Sequence, residues 1–312
     1  MRFKGLDLNL LVALDTLLTE TSVTQAAERL HLTQSAVSNA LARLRETLGD
    51  ELLVQSGRKM VLTPFAEDLR GQVRDILMLI DSTVRSKPDF QPESSHRHFR
   101  IACSDFVAEA VLTEAVLEIA RVAPGISLDL LPLVSDEVYL GLQRGEIDLI
   151  IAPDHYCRAD HLQAPIFSEP WTCVAWAGNK AVGATISLAQ YAAAEHVVLQ
   201  PMGQVALDQH FLEQSRITRR ALVTVPVFTW MPRLLVGSQR IATMPQRFAA
   251  SYARTLPLKT VRPLFDIPPL HESMQWHPSR DRDKALAWLR QVILGVAGKM
   301  SGQPAAERRR AR

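Results

Sequence analysis

Residues 22–48 read SVTQAAERLHLTQSAVSNALARLRETL, and their pattern decides the architecture of the amino-terminal part. Ser22 with Gln25 three residues on has the spacing of a capping box, in which a hydroxyl and an amide satisfy the first free backbone donors of a helix. Val23, Ala26, Ala27 and Leu30 then recur on one helical face, small enough to let a second helix approach. His31 and Leu32 make the break, and Thr33 is placed to cap the next helix. From Gln34 onward, Val37, Ala40, Leu41, Leu44 and Leu48 form one apolar stripe. The opposite face carries Gln34, Ser35, Ser38, Asn39 and Ala42, flanked by Arg43 and Arg45.

That second face suits the major groove of DNA. Short amides and hydroxyls hydrogen-bond base edges, and arginines further along reach phosphates. A groove about 12 Å wide admits a helix whose exposed face lacks bulky apolar groups. An ordinary surface helix capped by Thr33 is the plain alternative, because the pattern is permissive. The flanking residues favour DNA. Leu10, Leu11, Leu14, Leu17 and Leu18 give a preceding helix an apolar face that can cover the pair. Residues 52–55 and 60–63 are short strand-like runs around Ser56-Gly57-Arg58-Lys59, a turn carrying two cations. A hairpin beside a reading helix makes a winged helix-turn-helix over residues 1–65, with Arg58 and Lys59 at phosphate or the adjacent minor groove.

The chain has 312 residues, enough for two or three domains, and an ordinary hydrophobic content of 47%. No apolar run reaches the roughly 18 residues that would span a bilayer. Asp7 and Asp15 interrupt the apolar start, and no small-residue cleavage site follows, so the expectation is a cytoplasmic protein without a membrane partner. A net charge of +2 says little about partners. Within residues 1–65 every cation is matched by a carboxylate, so positive charge for DNA has to be placed locally, at the reading helix and the turn after it. Cys103, Cys157 and Cys173 have no metal-ligand spacing and suit reduced thiols. His96 and His98 flank Arg97 without further ligands nearby. No metal site, cofactor or catalytic residue is expected.

These motifs carry a family resemblance. Ala26-Ala27-Glu28-Arg29-Leu30, Leu32-Thr33-Gln34-Ser35-Ala36-Val37-Ser38, Leu44-Arg45-Glu46-Thr47-Leu48-Gly49-Asp50 with Leu52-Leu53, and Leu62-Thr63-Pro64 together resemble the LysR-type transcriptional regulators. The opening Arg2-Phe3-Lys4-Gly5-Leu6-Asp7-Leu8-Asn9-Leu10-Leu11 resembles the branch of nodulation regulators and aromatic-responsive proteins. The resemblance extends to about Met300. It implies that positions matching Gln34, Ser35, Ser38 and Asn39 face the bases and that the position of Arg58 lies in the wing. This chain departs from the commoner members, with Ser35 where they have Pro and Asn39 where they have Arg. The resemblance further implies a homodimer or dimer of dimers on a double-stranded operator, with RNA polymerase a further candidate partner; an activator is expected, and the sequence leaves repression open.

Residues 66–95 read as a linker helix and hinge. Leu69, Val73, Ile76, Leu77, Ile80 and Val84 fall three or four apart, and a partner helix from a second subunit is the economical cover for that stripe. Packing against its own effector domain is the alternative. Residues 87–95, KPDFQPESS, have the composition of a hinge.

Residues 96–300 alternate strand-like and helix-like runs, which argues for a mostly parallel sheet with a ligand crevice beyond the strand ends. Lobe I is expected over about 96–164 and 268–300, and lobe II over 165–267, with strands at 171–177, 196–199, 222–227 and 240–243. Ser135 is expected to open a helix in lobe I. Two lobes joined by two crossings resemble the periplasmic binding-protein architecture. The fold class is therefore a winged helix-turn-helix with a long linker helix, followed by a two-lobed α/β effector domain. Residues 301–312, rich in Arg and Ala, read as a disordered basic tail.

The strand-end rule places Ser104, Phe106, Pro153, His155, Gln200, Met202, Thr229, Trp230 and Trp276 at the cleft. The aromatic faces suit a planar ligand, and the resemblance implies an aromatic or flavonoid-like small-molecule effector. Buried packing is the competing role for each ring. A non-aromatic effector, or thiol redox sensing through the three cysteines, is the alternative for the same regulator. A stand-alone solute-binding protein is more remote, and an enzyme lacks a nucleophile elbow or phosphate loop.

Overall fold

The structure, a computed structural model, describes residues 2–3, 6–7, 9–85, 90–133, 137–200, 212–213 and 217–300. Met202, Ser135 and residues 301–312 lie outside the described residues, as does the side chain of Val84. The chain divides into two compact units, residues 1–87 and 88–312.

In the first unit a two-residue ribbon, β1 (Arg2–Phe3) and β2 (Leu6–Asp7), precedes α1 (Asn9–Glu20), α2 (Val23–Leu30) and α3 (Gln34–Leu48). The helix ends follow local chemistry. Ser22 Oγ accepts from the Gln25 amide at 3.3 Å, and Thr33 Oγ1 accepts from the Ala36 amide at 3.2 Å. His31 closes α2 in the left-handed region at φ 55°, and Gly49 closes α3 at φ 67°. Leu14, Leu17 and Leu18 of α1 pack with Ala26, Val37, Leu41 and Leu44 in one core. The wing is β3 (Leu53–Ser56) against β4 (Lys59–Leu62), with Gly57 at positive φ in its two-residue turn. Asp50 Oδ1 accepts from the Leu52 amide at 2.7 Å and the Thr63 hydroxyl at 2.6 Å. Thr63 in turn accepts from Ala66 at the start of α4 (Pro64–Arg85). Asp50 and Thr63 of the family motif thus clamp the wing to the linker helix.

α4 packs on α1. Val73 is buried, Leu69 and Leu77 join the same core, and the Arg74 guanidinium pairs with Asp15 at 2.6 Å and donates to Thr19 Oγ1 at 2.9 Å. This corrects the expectation of a stripe facing a partner along its whole length. Three of its members are covered by α1, whose own leucines supply the missing surface. Ile76, Leu79 and Ile80 remain exposed.

The second unit holds two sheets. The five-stranded sheet has the order β6 (Ser127–Pro132), β5 (His98–Cys103), β7 (Leu149–Pro153), β15 (Leu270–Trp276), β8 (Leu162–Glu169). β5, β6 and β7 run parallel, and β15 runs antiparallel to its neighbours. The six-stranded sheet has the order β10 (Thr185–Ile186), β14 (Leu258–Pro263), β9 (Trp171–Trp176), β13 (Ile241–Pro245), β11 (Glu195–Leu199), β12 (Arg220–Val225). The chain changes sheet at Pro170 rather than at Pro165. Pro165 lies inside β8, which tolerates it because β8 is an edge strand and its register shifts there. Helix Asp105–Val107 continues through a π turn, Ala108–Leu112, into Thr113–Val122. This helix and Lys284–Met300 cover the first sheet within a shared core. A buried ion cluster pins that core: Arg280 donates to Asp148 at 2.8 Å, Arg97 to Asp283 at 2.9 Å, and the Arg100 amide to Asp148 at 2.9 Å.

Candidate functional site

The first unit offers a polar face. Gln34, Ser35, Ser38, Asn39, Ala42 and Arg43 are all exposed, while Val37, Leu41 and Leu44 on the other side of α3 are buried. Thr33 is occupied as the cap and also touches the Ser35 hydroxyl at 3.1 Å. Ser22 is the cap of α2, its hydroxyl taken by the Gln25 amide, and is not part of α3. Arg58 and Lys59 are exposed at the tip of the wing. Arg45 is placed differently: its Nε donates to the Glu51 carbonyl at 2.8 Å and its Nη2 to the Leu53 carbonyl at 2.9 Å. Its side chain ties the carboxyl end of α3 to the wing. A helix presenting short polar side chains beside a cationic hairpin can engage a groove and its phosphates together.

In the second unit a cavity of about 270 Å³ lies where the two sheets meet. The parallel strands of the first sheet contribute Cys103 at the end of β5 with Ser104 and Asp105 after it, Leu130 to Pro132 in β6 with Leu133 after it, and Pro153 at the end of β7 with Tyr156 beyond. Tyr139 comes from helix Glu137–Gln143, with its hydroxyl donating to the Tyr156 carbonyl at 2.6 Å. The other sheet contributes Leu199 and Pro226 to Phe228. Ala108, from the π turn, and Glu272, from β15, complete the lining.

Of the residues expected at the cleft, Ser104 and Pro153 line this cavity. Phe106 is buried behind it, edge-on to Phe167, Phe228 and Phe248 at about 6 Å. Thr229 donates its amide to Asp105 Oδ2 at 2.6 Å, a bond between the lobes. His155 is exposed and rests on Tyr156, and Gln200 is exposed at the end of β11. Trp230 is 57% exposed and lies outside the lining. Trp276 is 7% exposed, with the Arg290 guanidinium 3.7 Å above its ring and its Nε1 donating to Asp281 at 3.0 Å. It is a core residue. The strand-end rule misplaced it because β15 is antiparallel: Glu272, near the other end of that strand, pairs with Pro153 and reaches the cleft.

The chemistry of the lining is acidic and apolar. Burial, and then the nearby Asp154 carboxylate, push the Glu272 carboxyl up to about 8. Burial, then Glu272, then Asp105 push the Cys103 thiol up to about 12. Burial, then Asp154, then Glu272 do the same for Cys157. Thiols held protonated this firmly are poor nucleophiles, which disfavours redox sensing. Among the described residues no group of three or more His, Cys, Asp or Glu is arranged to hold a metal ion. No helix among them is long and apolar enough to cross a membrane.

Comparison with known proteins adds identity to this geometry. Residues 8–67 match the model of bacterial regulatory helix-turn-helix proteins of the lysR family, and residues 92–298 match that of the LysR substrate binding domain. The chain is 41% identical over 307 residues to nodulation protein D 1 of Rhizobium meliloti (strain 1021), covering 97% of this chain and 99% of that one. It is 38% identical over 312 residues to nodulation protein D 1 of Mesorhizobium japonicum, covering 99% of each. The crystal structure of the probable transcriptional regulator PA0477 from Pseudomonas aeruginosa aligns with a TM-score of 0.64 at 28% identity, over 94% of this chain and 98% of that one.

Proposed function

The chain belongs to the lysR family of bacterial regulatory helix-turn-helix proteins, which makes it a DNA-binding transcriptional regulator, and we propose that a small, largely apolar molecule seated in the cavity between the lobes sets its activity. The observation that carries this is the cavity itself. It is walled by both sheets, so its occupant contacts both lobes and favours one arrangement of them over another. Gln34, Ser35, Ser38 and Asn39 read bases, while Arg43, Arg58 and Lys59 meet the backbone. The exposed Ile76, Leu79 and Ile80 of α4 pair with a second copy, giving a homodimer or a dimer of dimers. The resemblance of the opening residues to the nodulation-regulator branch, to which the relatives named nodulation protein D belong by name, favours the aromatic version of the effector, with activation through RNA polymerase as part of the same proposal.

The test joins the two halves. The full chain selects an operator from random duplexes, and the operator is then placed before a reporter. Ala108→Trp, which fills the cavity from the π turn, is expected to leave operator selection intact and to abolish response to inducing compounds. A response that survives a filled cavity would place the effector elsewhere.

A further inference from the structure

We infer that Glu272 is the polar anchor of the cleft, its carboxyl donating a hydrogen bond to an oxygen acceptor on an uncharged, largely apolar effector. This rests on the cleft being the effector site and names the class of molecule it takes. Glu272 lies in β15 opposite Pro153, is 2% exposed and lines the cavity. Its Oε2 has no hydrogen-bond partner among the described residues. Asp105, the other lining carboxylate, is satisfied by the amides of Phe106 at 3.1 Å and Thr229 at 2.6 Å. A buried carboxyl left without a partner beside a cavity is a group waiting for a ligand, because buried polar groups are otherwise paired.

The surroundings decide what that ligand is. Near Glu272 lie the Cys103 thiol at the end of β5, Asp105 at the helix start, and Asp154 and Cys157 after β7, while Tyr139 and Tyr156 line the same cavity. On the β8 side its register partner is Phe167. His271 on its own strand is exposed. No Lys, Arg or His is among the described lining residues, and the Arg158 guanidinium is stacked 4.5 Å over the Tyr139 ring. A buried carboxyl among acids keeps its proton, so at neutral pH Glu272 is a donor. An anionic effector would meet Asp105 in the lining, with Asp154 nearby and no cation among the described lining residues to receive it. A hydrocarbon would leave Oε2 unpaired. An oxygen acceptor, such as a carbonyl, uses the proton where it stands.

The donor form is lost as pH rises through about 8, so affinity is full below that value and falls above it. The experiment is calorimetric titration of the full chain with four molecules on one ring system: 2-acetylnaphthalene, 2-ethylnaphthalene, 2-naphthoate and 2-naphthylmethylammonium. The ketone is expected to bind at least about tenfold tighter than the hydrocarbon at pH 7, and about tenfold weaker at pH 9 than at pH 7. Glu272→Gln keeps a donor that cannot ionise, so it should retain ketone binding with a flat pH profile. Glu272→Leu should reduce the ketone to the level of the hydrocarbon. The wild-type pH profile stands without any variant. Ketone binding that Ala108→Trp abolishes, yet that ignores pH and matches the hydrocarbon, overturns the role of Glu272 and leaves the cleft as the effector site. Tightest binding by the naphthoate or the ammonium overturns the uncharged class. Binding of none of the four, or binding that Ala108→Trp leaves unchanged, removes the cleft and Glu272 together.

Discussion

Asp148→Ala should destabilise the α/β unit more than any comparable surface change. Asp148 is nearly buried and accepts from Arg280 Nη1 at 2.8 Å and from the Arg100 amide at 2.9 Å, with Arg97 Nη2 at 3.6 Å. Its removal takes the main partner from Arg280, itself 8% exposed, and leaves Asp283 as the nearest remaining carboxylate at 3.9 Å. Breaking a buried ion pair from one side costs about 3–5 kcal/mol. Orphaning the Arg100 amide adds about 1–3 kcal/mol, though the two losses share one cavity and do not sum fully. A total of about 4 kcal/mol is a large share of the 5–15 kcal/mol typical of a domain, and shifts its midpoint by roughly 8–16 °C. The chain itself supplies the probe. All five tryptophans, at positions 171, 176, 230, 276 and 288, belong to the second unit, so their fluorescence during urea unfolding follows that unit alone. Replacing both partners, Asp148→Ala with Arg280→Met, should recover much of the loss by removing the stranded charge. A single-variant loss below about 1 kcal/mol, or a double variant no better than the single, would refute the pairing as the source of stability.

Other outcomes follow from the same geometry. Asn39→Ala should weaken binding to a selected operator by about 1–3 kcal/mol with little change on random duplex, whereas Lys59→Ala should weaken both and lower the salt slope, as competition binding at two ionic strengths would read. Ile76→Asp should yield folded chains that fail to pair in light scattering; Val73→Asp, buried against α1, should unfold the first unit instead, by circular dichroism. Trp276→Leu should cost about 3 kcal/mol in urea unfolding and Trp230→Leu under about 1, the reverse of what a stacked ligand at Trp276 would require. Because Glu272 is protonated when folded and ionised when unfolded between its ordinary 4.5 and about 8, the second unit should lose stability as pH rises through that window. Glu272→Gln should flatten the loss in urea titrations.

The helix-turn-helix was legible because its signals are local. Thr33, the stripe Val37-Leu41-Leu44 and the exposed amides of α3 are all set by helical periodicity and one cap, and the Ser187–Gln190 capping box later in the chain is the same kind of signal. The cleft was harder because its residues are chosen by strand direction. A rule made for parallel strands found Ser104 and Pro153, yet on antiparallel β15 it pointed to Trp276 at the far end. The clue to Glu272 was present in Leu270–Trp276, LHESMQW, where a carboxylate occupies a position in step with buried Leu270, Met274 and Trp276. Without the strand's direction that alternation does not say which cavity it serves. The stripe on α4 shows a different limit: spacing identifies an apolar face but not its cover, and α1 took half of it.

Arg45 sets a tolerance on the DNA itself. With its guanidinium holding the carbonyls of Glu51 and Leu53, the reading helix and the hairpin behave as a caliper with fixed jaws. On the proposed placement, with bases under α3 and phosphates under Arg58, the distance between them within one half-site is therefore held by these two bonds rather than adjusted to the sequence. Insertions or deletions of a single base pair inside a half-site should be rejected outright. Variation in spacing can be absorbed only between half-sites, where separate copies of the chain meet the duplex.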